Sequence, residues 1–253
     1  MIVLVYDESF EGFLTAVFEV YEYKFEDVQI VKRSIWNGTV FEQYHNVDTN
    51  SEKAARVWKG VQRYISTEAM HALYHTWLSE QPNVESVLLQ YLQYLFAKKT
   101  NIETDYSHPA VLAVTKTARK VHREKHRMEA FVRFQLTKDG LFYAVVEPDF
   151  NVLSLLINHF EKRYADQHWL IYDAKRRYGI HYDLEKVNYV QLSFTDDVSS
   201  KNIQLVYDEM EQLYQTLWQK YFSSVNIKAR KNTKLHIQHM PKRYWKYLPE
   251  KHL

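Results

Sequence analysis

Ile2-Val3-Leu4-Val5-Tyr6 opens the chain as an apolar run rich in β-branched residues, and the pattern just after it decides the fold. Phe13, Val17, Val20 and Tyr21 recur at helical spacing, and Val28 to Val31 resembles a second short strand. A continuous apolar run of this length reads as a buried strand, and a three-to-four residue period as an amphipathic helix. The opening therefore predicts strand, helix, strand, as in α/β units.

Helical spacing continues. Thr49 and Glu52 form a capping-box pair ahead of Ala54, Val57, Trp58, Val61 and Ile65. Two more helices are expected over Thr67 to Ser79 and from about Pro82 through Leu95. The polar stretch Lys98 to Ser107 is the expected boundary, and Pro109 suits the first turn of a long helix. Val111, Val114, Ala118 and Val121 share one face of that helix. Lys116, Arg119, Lys120, Arg123 and Arg127 lie largely on another.

Beyond it the period changes to alternation. Phe131 to Leu136, a turn at Thr137 to Gly140 and Leu141 to Glu147 read as a hairpin. Asn151 is placed to cap a helix carrying Val152, Leu155, Leu156, Phe160 and Tyr164. Trp169 to Tyr172, Tyr178 to Tyr182 and Val187 to Phe194 read as strands, and about Val198 to Phe222 as a long helix. The expected fold class is α+β. An acidic strand–helix lobe spans residues 1–105, and a basic lobe with a mostly antiparallel sheet flanked by helices spans 106–253.

The 253 residues are 46% apolar and 25% charged, the balance of a globular protein. With 5 widely spaced glycines, neither a dinucleotide-binding fingerprint nor a P-loop is present. With no cysteine, disulfides, Cys-ligated zinc, thiol catalysis and a Cys-held iron–sulfur cluster are excluded for this chain. Asp7 and Glu8 come directly after the first apolar run, and no run reaches membrane-spanning length, so a soluble cytoplasmic protein without membrane contact is expected.

A net charge of +2 conceals an asymmetry. Residues 1–60 carry a net of −4, residues 116–138 a net of +6 and residues 223–253 a net of +7. Clustered Lys and Arg neutralise phosphates and release counterions, which points to an anionic polymer as partner. The competing reading is a solvated face with a basic tail.

Several runs in order carry a family likeness: His122-Arg123-Glu124-Lys125-His126-Arg127-Met128 leading into Ala130-Phe131-Val132-Arg133-Phe134; Glu147-Pro148-Asp149; His159-Phe160 with Arg163-Tyr164-Ala165-Asp166; Trp169 with Ile171-Tyr172-Asp173 and Arg176; and Met240-Pro241-Lys242-Arg243-Tyr244-Trp245-Lys246-Tyr247-Leu248-Pro249-Glu250. Together with Tyr6-Asp7 and Ser9-Phe10-Glu11-Gly12-Phe13, they resemble the bacterial "probable DNA metabolism protein" family. That family's domain of unknown function is often encoded beside a radical-SAM protein proposed to modify or repair DNA, or is joined to a uracil-DNA-glycosylase-like domain. The resemblance implies a DNA modification or repair setting and a radical-SAM partner. It implies no reaction and no cofactor of the chain's own.

The candidate nucleic-acid contacts are Arg119, Arg123, Arg127, Arg133, Arg163, Arg176, Arg177, Lys242, Arg243 and Lys246, with Tyr244 and Trp245 as candidate base-stacking rings. Packing onto the core is the alternative for those two rings, and for Arg133 an ion pair with an acid such as Glu147. Glu147, Asp149, Asp166 and Asp173 are candidate catalytic carboxylates. Two of them meeting would bind a metal for phosphodiester cleavage or act as acid and base; capping roles are the alternative for Asp149 and Asp166. His122 and His126, one turn apart, are candidate metal ligands, but Glu124 does not complete a His-Glu-x-x-His pattern. The leading expectation is an accessory protein that binds DNA through its basic lobe. The alternatives are a metal-dependent enzyme acting through the carboxylates near Glu147 and Asp166, and a protein-interaction subunit without nucleic-acid binding.

Overall fold

A computed structural model describes residues 1–38, 43–191 and 237–251. The expected helix from about Val198 to Phe222 and the end of the expected strand at Phe194 lie outside the described residues. The fold is α+β, with two compact units, Met1–His122 and Arg123–Leu253.

The first unit is built on a parallel sheet of β1 (Ile2–Tyr6), β2 (Val28–Lys32) and β3 (Tyr44–Asn46), in the order β2-β1-β3. The expected strand–helix–strand opening is observed: α1 (Phe10–Glu22) connects β1 to β2, and Ile2 pairs with Val28. Ser9 caps α1 by accepting the Gly12 N–H at 2.8 Å. A Cβ on Gly12 would stand 2.1 Å from Asp7 Oδ1, so glycine is what lets the helix start this close to the strand end. The unit continues with α2 (Ser51–Gln62), α3 (Thr67–Leu78) and α4 (Val84–Lys98). The cap of α2 is Asn50, which accepts the Lys53 N–H at 3.0 Å, rather than Thr49, whose hydroxyl donates to Asp7. Leu4, Phe13, Val17, Val61, Leu88 and Leu95 meet in the core.

The long helix is α5 (Pro109–Phe131). Its first turns put Ala110, Val111 and Val114 into the first unit's core, so the units divide inside α5 rather than at the polar stretch near residue 105. Its last turns belong to the second unit.

The second unit's sheet holds β4 (Gln135–Leu136), β5 (Phe142–Val146), β6 (Trp169–Asp173), β7 (Tyr178–Tyr182) and β8 (Val187–Val190), in that order. Every pairing is antiparallel except β5 with β6, which are joined through α6 (Leu153–Arg163). The expected strand from Phe131 is reduced to two residues. Phe131 ends α5 instead, where its ring packs 5.5 Å from that of Tyr244. Asn151 does not cap α6; it accepts a hydrogen bond from the Tyr178 hydroxyl. All five residues of β6 are buried, as its central place demands. No helix among the described residues is long and apolar enough to cross a membrane.

Candidate functional site

The second unit gathers most of the motif runs around one buried carboxylate. At about 100° per residue, Glu124 falls at the edge between the apolar face of α5 and its basic face. Its side chain is 1% exposed. It accepts the Asp149 backbone N–H at 2.9 Å and the Tyr244 hydroxyl, while Arg127 stands at 3.4 Å and Arg243 at 3.7 Å. A charge this deep persists only when paired and hydrogen-bonded, and four groups from three stretches of sequence provide that.

Glu147-Pro148-Asp149 leaves the end of β5, beside the end of its parallel neighbour β6, where Val146 pairs with Asp173. Asp173 is fully buried and accepts from the Lys175 and Arg176 backbone N–H groups and from the Arg176 guanidinium at 2.9 Å. Arg176 also donates to the Pro148 and Asp149 carbonyls, and Lys175 to the Asp149 carbonyl. The turn after β6 thus clamps the turn after β5.

The basic-aromatic tail closes the hub. Lys242–Tyr247 forms a 3-10 turn. Arg243 meets Asp149 at 2.5 Å, Lys246 pairs with Glu147, and the Tyr247 hydroxyl donates to Glu147 at 2.8 Å. The Lys246 and Tyr247 hydrogen bonds hold the Glu147 carboxyl below its usual range. Burial first, and then Glu124, drive the Tyr244 hydroxyl far above its usual value, so it stays a donor. Tyr244 is 2% exposed and Leu248 fully buried, so the Tyr244 ring packs inside the protein instead of lying open to a base. The Trp245 ring is partly buried, its N–H donates to the Met240 carbonyl at 3.0 Å, and Lys242 and Lys251 stand over it.

The candidate cations therefore divide. Arg127, Arg176, Arg243 and Lys246 are spent on carboxylates of the hub. Arg119 and Arg123, with Lys116 and Lys120, are exposed on one face of α5, and none has an ion-pair partner among the described residues. Arg177 and Lys242 are exposed as well. Arg133 donates to the carbonyls of Ala130 and Val132, completing the end of α5; Glu147 takes Lys246 and Tyr247 as its partners.

Glu147 and Asp166, the carboxylates of the alternative enzyme reading, do not meet. Glu147, Asp149 and Asp173 sit at the C-terminal ends of β5 and β6, whereas exposed Asp166 precedes the start of β6. Four residue steps of strand, about 13 Å, separate the two ends. Glu147, Asp149 and Asp173 are each ion-paired to a different cation, which leaves no pair poised as acid and base. Asp149 serves the ion pair with Arg243 rather than a helix cap. His122 and His126 are both exposed, and His126 faces Glu129 at 3.4 Å. No group of three His, Asp or Glu residues among the described residues is placed to hold a metal ion.

At the opposite end of β5 and β6 an open cleft of about 660 Å³ lies beside the end of α5 and α6. Arg133 and Arg163 line it together with Phe134, Tyr164, His159 and Glu129. Burial raises the Glu129 carboxyl, but Lys125, His126 and His159 outweigh burial and hold it below its usual range. Glu124, Glu129 and His159 are not among the candidate site residues that the sequence singles out. The sequence signals for Glu124 are its angular place beside the apolar stripe of α5 and its position within the His122 to Met128 run.

The second unit is thus an α+β domain organised on a buried carboxylate, with open cations on the helix that enters it. The model of a domain of unknown function, DUF4130, matches residues 82–250, and the chain belongs to that family. No curated protein matches it.

Proposed function

We propose that the chain is an accessory protein of DNA metabolism that binds DNA through the exposed cations of α5 and works beside a radical-SAM enzyme. The observation that supports this is the segregation of charge. The hub neutralises its own cations, while Lys116, Arg119, Lys120 and Arg123 stay exposed and unpaired among the described residues on one helical face. Cations kept out of ion pairs over successive helical turns fit phosphate contacts, which position a protein on nucleic acid without reading sequence. The enzyme partner rests on the family resemblance. This chain has no thiolate to hold an iron–sulfur cluster, so a role in such chemistry is to bind or present the substrate.

Anisotropy titrations against single- and double-stranded DNA at two salt concentrations test the reading. Binding that weakens steeply as salt rises is expected. Absence of salt-sensitive binding to either form overturns it and leaves the protein-interaction subunit as the surviving alternative.

A further inference from the structure

We propose that the cleft lined by Arg133, Arg163, Phe134, Tyr164, His159 and Glu129 binds a nucleotide unit, its base on the rings and its phosphate on Arg163. The inference deepens the DNA-binding reading and rests on it where the nucleotide belongs to a strand.

The cleft's volume, about 660 Å³, lies within the range of small-ligand sites. Phe134 and Tyr164 are only partly buried, and they meet at 5.3 Å and 78°, so two rings border the cleft in different planes. Base–aromatic stacking needs such ring surface and tolerates any base. Arg163 is exposed on the rim, and its Nε–H reaches the Tyr164 hydroxyl at 3.3 Å, which sets a cation beside a stacking surface. Arg133 adds positive charge to the lining from a guanidinium that also donates to the Ala130 and Val132 carbonyls.

Glu129 narrows the ligand. Its side chain is 15% exposed, Lys125 lies at 3.0 Å, and His159, 34% exposed, stands 4.0 Å away. An ionised carboxylate on the wall accepts from an N–H group, and the exocyclic amine of cytosine or adenine is such a donor. A phosphorylated tyrosine side chain has a ring and a phosphate but no N–H to offer Glu129. Flat ring, phosphate and amine together describe a nucleotide. The tail holds one wall: Pro249 lines the cleft, and the 3-10 turn before it is latched to Glu124 and Glu147.

The test uses the full chain with four probes: oligodeoxycytidylate, an abasic oligomer of equal length, deoxycytidine monophosphate and inorganic phosphate. The intact oligomer is expected to bind about tenfold tighter than the abasic one, the scale of one stacked base. Tyr164→Ala should erase that preference. Arg163→Glu, on an exposed side chain that tolerates change, should weaken deoxycytidine monophosphate by a similar factor. Equal binding of the two oligomers, or a preference that survives both variants, overturns the cleft assignment and leaves DNA binding intact. Neither oligomer binding while the mononucleotide binds through Arg163 supports the cleft for a free nucleotide and overturns the DNA reading. Mononucleotide binding no tighter than inorganic phosphate, with neither oligomer bound, overturns both.

Discussion

The Tyr244 hydroxyl donates to the buried Glu124 carboxylate across 120 positions of sequence. One bond thus ties the C-terminal 3-10 turn to the helix that begins the second unit. Removing it leaves a buried carboxylate short of a donor, which costs about 1–3 kcal/mol. Tyr244→Phe keeps the ring against Phe131 and should lower stability by that amount, measured by urea unfolding. An unchanged midpoint would mean that water replaces the hydroxyl and that the turn is not latched there.

Glu124 itself should matter more. Glu124→Ala leaves the Tyr244 hydroxyl and the Asp149 N–H without their acceptor and takes a carboxylate from Arg127, while Arg243 keeps Asp149; two buried donors left unpaired cost about 1–3 kcal/mol each. Limited proteolysis of this variant should cut near residue 240 faster than in the parent chain. Parent-like protection would show that the Glu147 and Asp149 pairs and apolar packing hold the tail without Glu124.

Acid should release the tail by a second route. Lys246 and Tyr247 depress the Glu147 carboxyl below its ordinary 4.5. A depressed carboxyl contributes stability that is fully present above its unfolded-state pKa and is lost as pH falls through its folded-state pKa. The stability difference between the parent and Glu147→Gln should therefore hold from pH 7 down to about 4.5, decline below it and vanish only beneath the lower folded-state pKa. Thermal melts of both proteins across that window check this; a difference that grows on acidification contradicts the assignment.

Gly179 offers a test of the sheet. A Cβ there would stand 2.9 Å from the Ile171 carbonyl oxygen, on the central strand β6, where backbone has little room to yield. Gly179→Ala should destabilise by about 1–3 kcal/mol, the scale of overpacking. Chemical denaturation reads it, and a neutral result would place the β6–β7 pairing elsewhere.

Much of the frame was legible in the sequence because single elements announce themselves. β1 and β6 are continuous apolar runs, and Val111, Val114, Ala118 and Val121 mark the buried face of α5. β3 left no such trace: Tyr44-His45-Asn46 is polar, and its pairing with β1 is supplied by tertiary contact. Phe131 to Leu136 reads as a strand, yet Phe131 finds its burial at the end of a helix, beside a ring more than a hundred residues away. The site was legible in its parts and not in its wiring. The Arg, Lys and Tyr residues of the tail look alike in a sequence whether they meet phosphate or carboxylate. Only the fold shows Arg243 on Asp149 and Tyr244 on Glu124, and Arg119 and Arg123 left open.

The slope of DNA affinity against salt concentration bears on the central claim most directly. Lys116→Glu, Arg119→Glu, Lys120→Glu and Arg123→Glu change exposed side chains and should leave the fold intact. Combined, they should weaken binding and lower the logarithmic salt slope by roughly one per side chain, while Tyr244→Phe leaves the slope unchanged. A slope that stays at the parent value in the combined variant would contradict the assignment of α5 as the DNA-binding face.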